Sequence, residues 1–168
     1  PIEYLIGMEA GGGIVFYIDE TGQHGLVAAQ EDLLESNYPN WFFNAYQWGC
    51  FGTNVFGADG INIGTGYANT INILGCTHYS VSPAQAAFDA EINGFTDWYL
   101  PSRDELAEMY NTIGNGGSEG NIGGFQNFPY WSSSEYSDTE AWCVTFLTGH
   151  VFRISKGNQH RVRPIRSF

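Results

Sequence analysis

Apolar residues cluster in two short stretches near the N-terminus of the chain. Residues 13–19 and 26–29 are mostly apolar and flank a polar segment, 20–25, that carries two glycines. Two β-prone runs around a short glycine-bearing turn predict a β-hairpin.

Two later segments have the signals of helix starts. Ser82 before Pro83, with Gln85 three residues after the serine, predicts a capped helix that ends near Ile92. Ser102 and Glu105 form a second capping-box pattern. The residues that follow are apolar at helical spacing, which predicts an amphipathic helix that ends at Gly114: Leu106, Met109, Tyr110 and Ile113.

The remaining segments predict loops and strands. Residues 31–75 are rich in Asn, Gly and aromatic residues and predict a long packed loop region, with residues 57–66 as turns. After a Gly/Asn/Ser-rich loop at 114–124, four short runs predict an antiparallel meander: 130–134, 141–147, 151–155 and 161–165. The chain is therefore expected to form a single α+β domain over residues 1–168.

The composition supports one packed domain and excludes one class of partner. Hydrophobic residues make up 43% of the 168 residues and aromatic residues 16%, enough for one sizeable core. Eighteen acidic residues against six basic ones give a formal charge of -12. Such a surface repels phosphate backbones and anionic lipid, so no nucleic-acid partner is expected.

The basic residues are unevenly distributed. Arg103 is the only one before residue 153, and the others crowd the C-terminus: Arg153, Lys156, Arg161, Arg163 and Arg166. Two interpretations stay open. These bases either complement the acidic remainder of the domain or form an anion-binding strip.

Neither a membrane anchor nor a cysteine-based metal site is expected. The chain has no apolar run of about 18 residues, so no membrane insertion is predicted. It opens at Pro1 without a methionine, as expected of a mature or excised fragment. Three cysteines permit at most one internal disulfide and leave an odd thiol.

Six sequence blocks, in order along nearly the whole chain, carry a family resemblance. They are Gly12–Tyr17, His24–Ala29, Gly64–Gly66, Asp97–Ser102, Tyr130–Glu135 and Val162–Arg166. Together they resemble the bacterial family that includes the C-terminal domain of the Legionella collagen-like adhesin and the Fibrobacter major paralogous domains. The resemblance implies a C-type-lectin-like fold, with two helices packed on a twisted antiparallel sheet with long loops. It also implies a secreted or cell-surface protein, bacterial or phage, that attaches to a carbohydrate or protein ligand without catalysis.

The resemblance also bears on the cysteines and on ligand choice. Relatives often have a cysteine where this chain has Phe88, so a Cys50–Cys76 disulfide is expected, with Cys143 as a thiol. The sulfated polysaccharides associated with the Legionella domain need dense positive charge, and this acidic chain is not expected to bind them.

The last strands are the expected contact surface. Some related domains are diversified there by retroelements, and the residues on these strands of the chain form an unusually mixed set. The candidate ligand-binding residues are Thr145, Leu147, His150, Phe152, Arg153, Ser155 and His160.

Other sequence features bear on metal binding, assembly and catalysis. The Glu-Pro-Asn, Gln-Pro-Asp and Trp-Asn-Asp triplets of calcium-dependent lectins are absent, so no cofactor is expected beyond a structural calcium around Asp59. A fibre tip or trimerising cap, which requires a homo-oligomer, is the main alternative. A more distant one is an oxidase of the formylglycine-generating type, to which Leu100–Ser102 is similar, although no paired reactive cysteines stand out.

The aromatic residues are expected to serve mainly in packing. Trp98, Trp131 and Trp142 lie in strand-like runs and are predicted to be core residues. The aromatics of the irregular loop are predicted to pack that loop down, with contact to a ligand as the alternative: Tyr46, Trp48, Phe51 and Phe56.

Overall fold

The computed structural model describes residues 1–34, 45–76 and 81–168. In these ranges the strands are β1 (Glu9–Ala10), β2 (Gly13–Ile18), β3 (Gly25–Ala28), β4 (Tyr46–Gln47), β5 (Pro129–Glu135), β6 (Glu140–Thr145), β7 (Val151–Ser155), β8 (Gln159–His160) and β9 (Ile165–Ser167). The helices are α1 (Gly66–Ile73), α2 (Pro83–Phe88) and α3 (Arg103–Ile113). None of the helices in this part of the chain is long and apolar enough to cross a membrane. The fold is α+β, as predicted.

The first sheet joins the two ends of the chain. Its order is β1-β2-β3-β9, and the predicted hairpin of β2 and β3 is confirmed. The last strand differs from the prediction, because β9 pairs with β3, placing Ile165 opposite Ala28, and does not continue the meander. The pairing of β9 with β3 fully buries Ile165 in the core beneath the hairpin.

The predicted meander forms a separate sheet of three strands. Its order is β5-β6-β7, with Cys143 opposite Phe152 and Trp142 opposite Arg153. The short strands β4 and β8 form a two-stranded sheet in which Tyr46 lies opposite His160. The expected single twisted sheet is therefore replaced, in the described ranges, by three antiparallel sheets.

The two predicted helices are confirmed, and a third was missed. Ser82 caps α2 by accepting the Gln85 N–H, although α2 ends at Phe88 rather than near Ile92. Ser102 and Glu105 form the capping box of α3, with Ser102 N–H donating to Glu105 Oε1 at 2.7 Å. Helix α1 begins at Gly66, where turns were expected.

Helix α1 escaped prediction because polar side chains occupy its buried face. The side chain of Asn69 is buried; it accepts a hydrogen bond from the Gly60 N–H and donates one to the Gly60 carbonyl. Thr70 is buried as well, and its hydroxyl donates to the Gly66 carbonyl at 2.8 Å. With polar residues facing the interior, the helix has no apolar stripe for periodicity to detect.

Large side chains fill two main cores. One core lies between α3 and the first sheet and includes Met109, Phe16 and Phe146. The other lies between α2 and the meander and includes Trp48 and Trp131. Trp98 and Trp131 are fully buried as predicted.

Most C-terminal basic residues are paired with acidic residues from other parts of the chain. Lys156 Nζ lies 2.9 Å from Glu135, Arg163 lies 2.8 Å from Asp32, and Arg166 lies 2.7 Å from Asp97. Arg161 also pairs with Asp32, at 3.2 Å. The hydrogen bond from Arg166 lowers the pKa of Asp97. This arrangement agrees with the first interpretation, in which the bases complement the acidic remainder of the domain.

The long loop is held by a disulfide and a buried ion pair. Cys50 and Cys76 are bonded, with their Cα atoms 5.8 Å apart, which is the expected pairing. Buried Lys156 donates to the carbonyls of Cys50 and Thr53, and Glu135 accepts the Val55 N–H. Together these contacts fix the loop against the end of β5.

Candidate ligand-binding surface

The structure does not bring the seven candidate residues together on one face. Neighbouring residues of a strand point to opposite faces. Phe152 faces the same way as Cys143, its partner on β6, whereas Arg153 faces the same way as Trp142. One face therefore carries Thr145, His150, Phe152 and His160, and the other carries Arg153 and Ser155. Leu147 lies in the β6–β7 turn, 58% exposed.

Neighbouring side chains cover part of the face that carries Phe152. The His160 ring contacts Trp131 and Phe152, with centroids 4.8 and 6.5 Å apart. His160 Nε2 is buried and has no hydrogen-bond partner among residues 1–34, 45–76 and 81–168. Burial lowers the pKa of His160 to about 4. His150 stacks on Phe152 at 5.9 Å and is the more exposed of the two histidines.

The opposite face carries a partly exposed cluster of aromatic and arginine side chains. Arg103 lies over the Trp142 ring at 5.0 Å, and the Tyr136 and Trp142 rings are nearly perpendicular, with centroids 5.6 Å apart. Arg153 covers the Tyr136 ring at 3.8 Å. We call these four residues the Trp142 cluster. Tyr136 is 47% exposed and the Arg153 side chain 46% exposed, so the cluster faces solvent.

Four elements hold the Trp142 cluster in place: α3, the turn after β5, β6, and β7, which carries Arg153. Arg103 is the first residue of α3, and its N–H donates to Ser134 Oγ on β5 at 2.9 Å. Tyr136 follows β5 directly and donates its N–H to the Glu140 carbonyl. Trp142 lies on the central strand β6. The four side chains are therefore supported by regular structure and a tight turn.

Sequence reasoning found only part of this cluster. Arg153 was a ligand-binding candidate and Trp142 was expected in the core, whereas Arg103 was noted only as an isolated base and Tyr136 was not noted. Strand alternation could have indicated the exposure of Trp142, which lies two residues from the partly exposed Glu140, but it does not bear on Tyr136 or Arg103.

The long loop adds exposed aromatic residues to the same end of the sheet. Tyr46 and Trp48 are buried, as predicted, but Phe51 and Phe56 are 63% and 96% exposed. The Gly52 N–H donates to the Asp138 carbonyl at 2.8 Å, in the turn that follows Tyr136. Phe51 is thus presented next to that turn by a fixed loop.

The candidate nucleophiles on β5 and β6 have structural partners or are buried. Ser132 Oγ donates to the Trp142 carbonyl and Ser134 Oγ to the Gly60 carbonyl. Burial raises the pKa of the Cys143 thiol. Asp59 is exposed, and no three His, Cys, Asp or Glu side chains converge as metal ligands within the described ranges.

Comparison with known proteins places the chain in a family. No curated protein matches it. The Lcl C-terminal domain matches residues 65–166, a range that runs from α1 to β9 and contains the whole Trp142 cluster. The match covers more than half of the chain, so this protein belongs to the family of Lcl C-terminal domains, named for the Legionella collagen-like protein.

Proposed function

We propose that this domain is a non-enzymatic attachment module that binds a carbohydrate or protein ligand through the Trp142 cluster. Family membership indicates a bacterial surface or adhesin-like domain. The observation that carries the proposal is that Trp142, Tyr136 and two arginine side chains pack on one another at the protein surface. The C-type-lectin-like fold, implied by the family resemblance, belongs to the same proposal.

The composition of the cluster is typical of binding surfaces. Trp, Tyr and Arg dominate the few residues that carry most of the energy of protein interfaces. Each guanidinium here is already stacked on a ring, so little side-chain entropy is lost on binding. A preformed cluster of this kind supports attachment rather than a role in packing alone.

The charges around the cluster favour a ligand without dense negative charge. Arg103 pairs with Asp104 at 2.8 Å, and Arg153 lies 4.0 Å from Glu140. The local charge is therefore balanced, within a chain of net charge -12. A sulfated polysaccharide would be repelled, whereas a neutral glycan or a protein surface would not.

The alternative function as an assembly module is favoured by one observation. Near the N-terminus, Ile2, Leu5 and Ile6 are 61%, 59% and 43% exposed. Light scattering coupled to size-exclusion chromatography tests this alternative. A stable trimer that dissociates on Leu5→Ser substitution would favour assembly, and a monomer would favour attachment.

The distant oxidase alternative gains no support from the cysteines. Cys50 and Cys76 are bonded to each other, and Cys143 is fully buried.

Diversification of the last strands stays a prediction, tested by sequencing the same gene from sibling isolates. Substitutions concentrated at exposed positions of β6 and β7 would support it.

The attachment proposal is tested with a glycan array and a panel of host-cell surfaces, each with calcium and with chelator. Tyr136→Ala is expected to reduce binding about tenfold or more, as for a central interface residue. Tyr67→Ala is the matched control, because Tyr67 is 53% exposed on α1, outside the cluster. Equal losses from both variants, or none from Tyr136→Ala, would contradict a role for the cluster.

A further inference from the structure

Strand β7 forms an edge of the meander, next to the Trp142 cluster. The sheet order β5-β6-β7 leaves one side of β7 unpaired among the described residues. Edge strands present N–H and carbonyl groups on which another chain can add a strand. Arg153 belongs to both the strand and the cluster.

The hydrogen bonds of the β6–β7 pair show which backbone groups face outward. Thr145 N–H donates to the His150 carbonyl, and Lys156 N–H donates to the Thr139 carbonyl. Hydrogen-bonded pairs alternate along an antiparallel ladder, so Phe152 and Ile154 point both of their backbone groups at β6. At the ends of the strand only the His150 carbonyl and the Lys156 N–H do so, because the Lys156 carbonyl accepts the Trp48 N–H. The outward groups therefore belong to Val151, Arg153 and Ser155.

Five of these six outward groups have no hydrogen bond within the described residues. The Ser155 carbonyl already accepts from Asn158 in the turn that follows β7. The N–H groups of all three outward residues, and the carbonyls of Val151 and Arg153, have no partner among the described residues. An added strand could use them without disturbing the meander.

The charge at the centre of β7 disfavours a second copy of the chain as the added strand. In the antiparallel register that pairs all three outward residues, Arg153 would lie opposite the same arginine of the copy. Like charges directly opposite each other on neighbouring strands are destabilising. The edge therefore selects against self-pairing.

The same charge favours an acidic partner. The Arg153 guanidinium is stacked on Tyr136, and its only ionic partner among the described residues is the Glu140 carboxylate, 4.0 Å away. A carboxylate on the neighbouring strand could form a closer, charge-assisted hydrogen bond. The next residue of such a segment would lie on the opposite face, beside Phe152 and His150.

We propose that β7 receives an extended segment of a protein partner as a fourth strand, with an acidic side chain beside Arg153. This inference rests on the attachment function proposed above and selects a protein as the ligand. Main-chain hydrogen bonds to the outward groups would supply affinity. Arg153 and the Trp142 cluster would supply specificity.

The probe is a displayed library of random peptides of about ten residues, long enough to cover a strand, selected against the whole domain. Enriched peptides are expected to alternate apolar and polar residues around an Asp or Glu. Val151→Pro removes one outward donor and keeps the β6 ladder, and proline is tolerated at the first residue of a strand. It is expected to weaken binding of these peptides about tenfold.

A matched proline control lies on the β2–β3 turn. Gly22 N–H donates to the Asp19 carbonyl there, which makes Glu20 the second residue of a turn, a position that accepts proline. Glu20→Pro is expected to leave peptide binding unchanged. Arg153→Glu is expected to abolish binding of the acidic peptides and to enrich basic ones.

Hydrogen exchange measured by NMR provides a second readout. Bound peptide is expected to slow exchange of the Val151, Arg153 and Ser155 amides, because each would become hydrogen-bonded. A ligand held by side chains alone would leave these amides unchanged and overturn the inference. Three other results would overturn the inference. They are failure to enrich acidic peptides, peptide binding by Val151→Pro that equals the wild type, and a dimer paired through β7. If Tyr136→Ala lowers attachment while Val151→Pro does not, the proposed function stands and the added strand is wrong.

Discussion

Protonation of His160 is expected to destabilise the domain between pH 6.5 and 4. The ring is packed against Trp131 and Phe152, and its Nε2 is buried with no hydrogen-bond partner in the described part of the chain. Burial lowers the pKa of His160 from 6.5 to about 4, so the folded protein binds this proton less readily than the unfolded chain. The stability that depends on neutral His160 is fully present above pH 6.5 and is lost as the pH falls towards 4.

The size of the effect follows from the pKa difference. One pKa unit corresponds to about 1.4 kcal/mol, so the shift from 6.5 to about 4 has an upper limit of about 3 kcal/mol. Because the ring is only partly buried, we expect about 2 kcal/mol of this to be realised. That is a substantial share of the 5–15 kcal/mol that is typical of a domain.

The assay is urea unfolding at a series of pH values for the wild type and His160→Gln. The difference between their unfolding free energies is expected to be constant above pH 6.5. By pH 4 the wild type is expected to have lost about 2 kcal/mol of stability relative to His160→Gln. Taking the difference removes the titration of carboxylates that both proteins share. His24→Gln, at an exposed turn position, is the control and is expected to follow the wild-type curve. Parallel curves for the wild type and His160→Gln, or an NMR titration of His160 with a midpoint at 6.5 or above, would refute the reasoning.

Three further predictions concern the buried pairs and thiols. Lys156→Met leaves the buried Glu135 carboxylate unpaired and should cost about 3–5 kcal/mol in urea unfolding, part of which adding Glu135→Gln should restore. Replacing Cys50 and Cys76 by serine removes a cross-link between residues 26 apart and should lower the unfolding free energy by about 3 kcal/mol. Cys143 should resist iodoacetamide in the native protein and react once denatured, since burial raises the pKa of its thiol.

Local signals in the sequence were enough to predict the hairpin, α2 and α3. The capping box of Ser102 and Glu105 depends on residues three apart, and the side chains that follow bury one helical stripe. The partner of β9 could not be predicted in the same way. Its pairing with β3 joins residues more than a hundred positions apart, and nothing local to Ile165 distinguishes β3 from the meander. Helix α1 was missed for a related reason, because its buried Asn69 is explained only by the distant Ser133 and the nearby Gly60 that it contacts.

The candidate site could be predicted only in part from the sequence, for a different reason. Adjacent Phe152 and Arg153 cannot share a face of a strand, so alternation alone rules out a single surface for the seven candidates. Which face is solvent-exposed depends on what covers each sheet. On the face of Trp142, α3 packs over Val144 and stops short of Tyr136, leaving the aromatic ring open. That boundary is set by the length and position of α3 against the sheet, which no local pattern encodes.

The buried bases explain how so acidic a chain can present an arginine for binding. Lys156, Arg163 and Arg166 are buried, or nearly so, and each is paired with an acid from a distant segment, so they contribute to cohesion rather than to the surface. Of the C-terminal bases, Arg153 is left with the longest ion-pair contact. A ligand that uses Arg153 therefore meets one stacked guanidinium beside a balancing carboxylate, on a chain of net charge -12, and not a basic strip. Its binding should depend weakly on salt, because one ion pair is screened rather than a row of them.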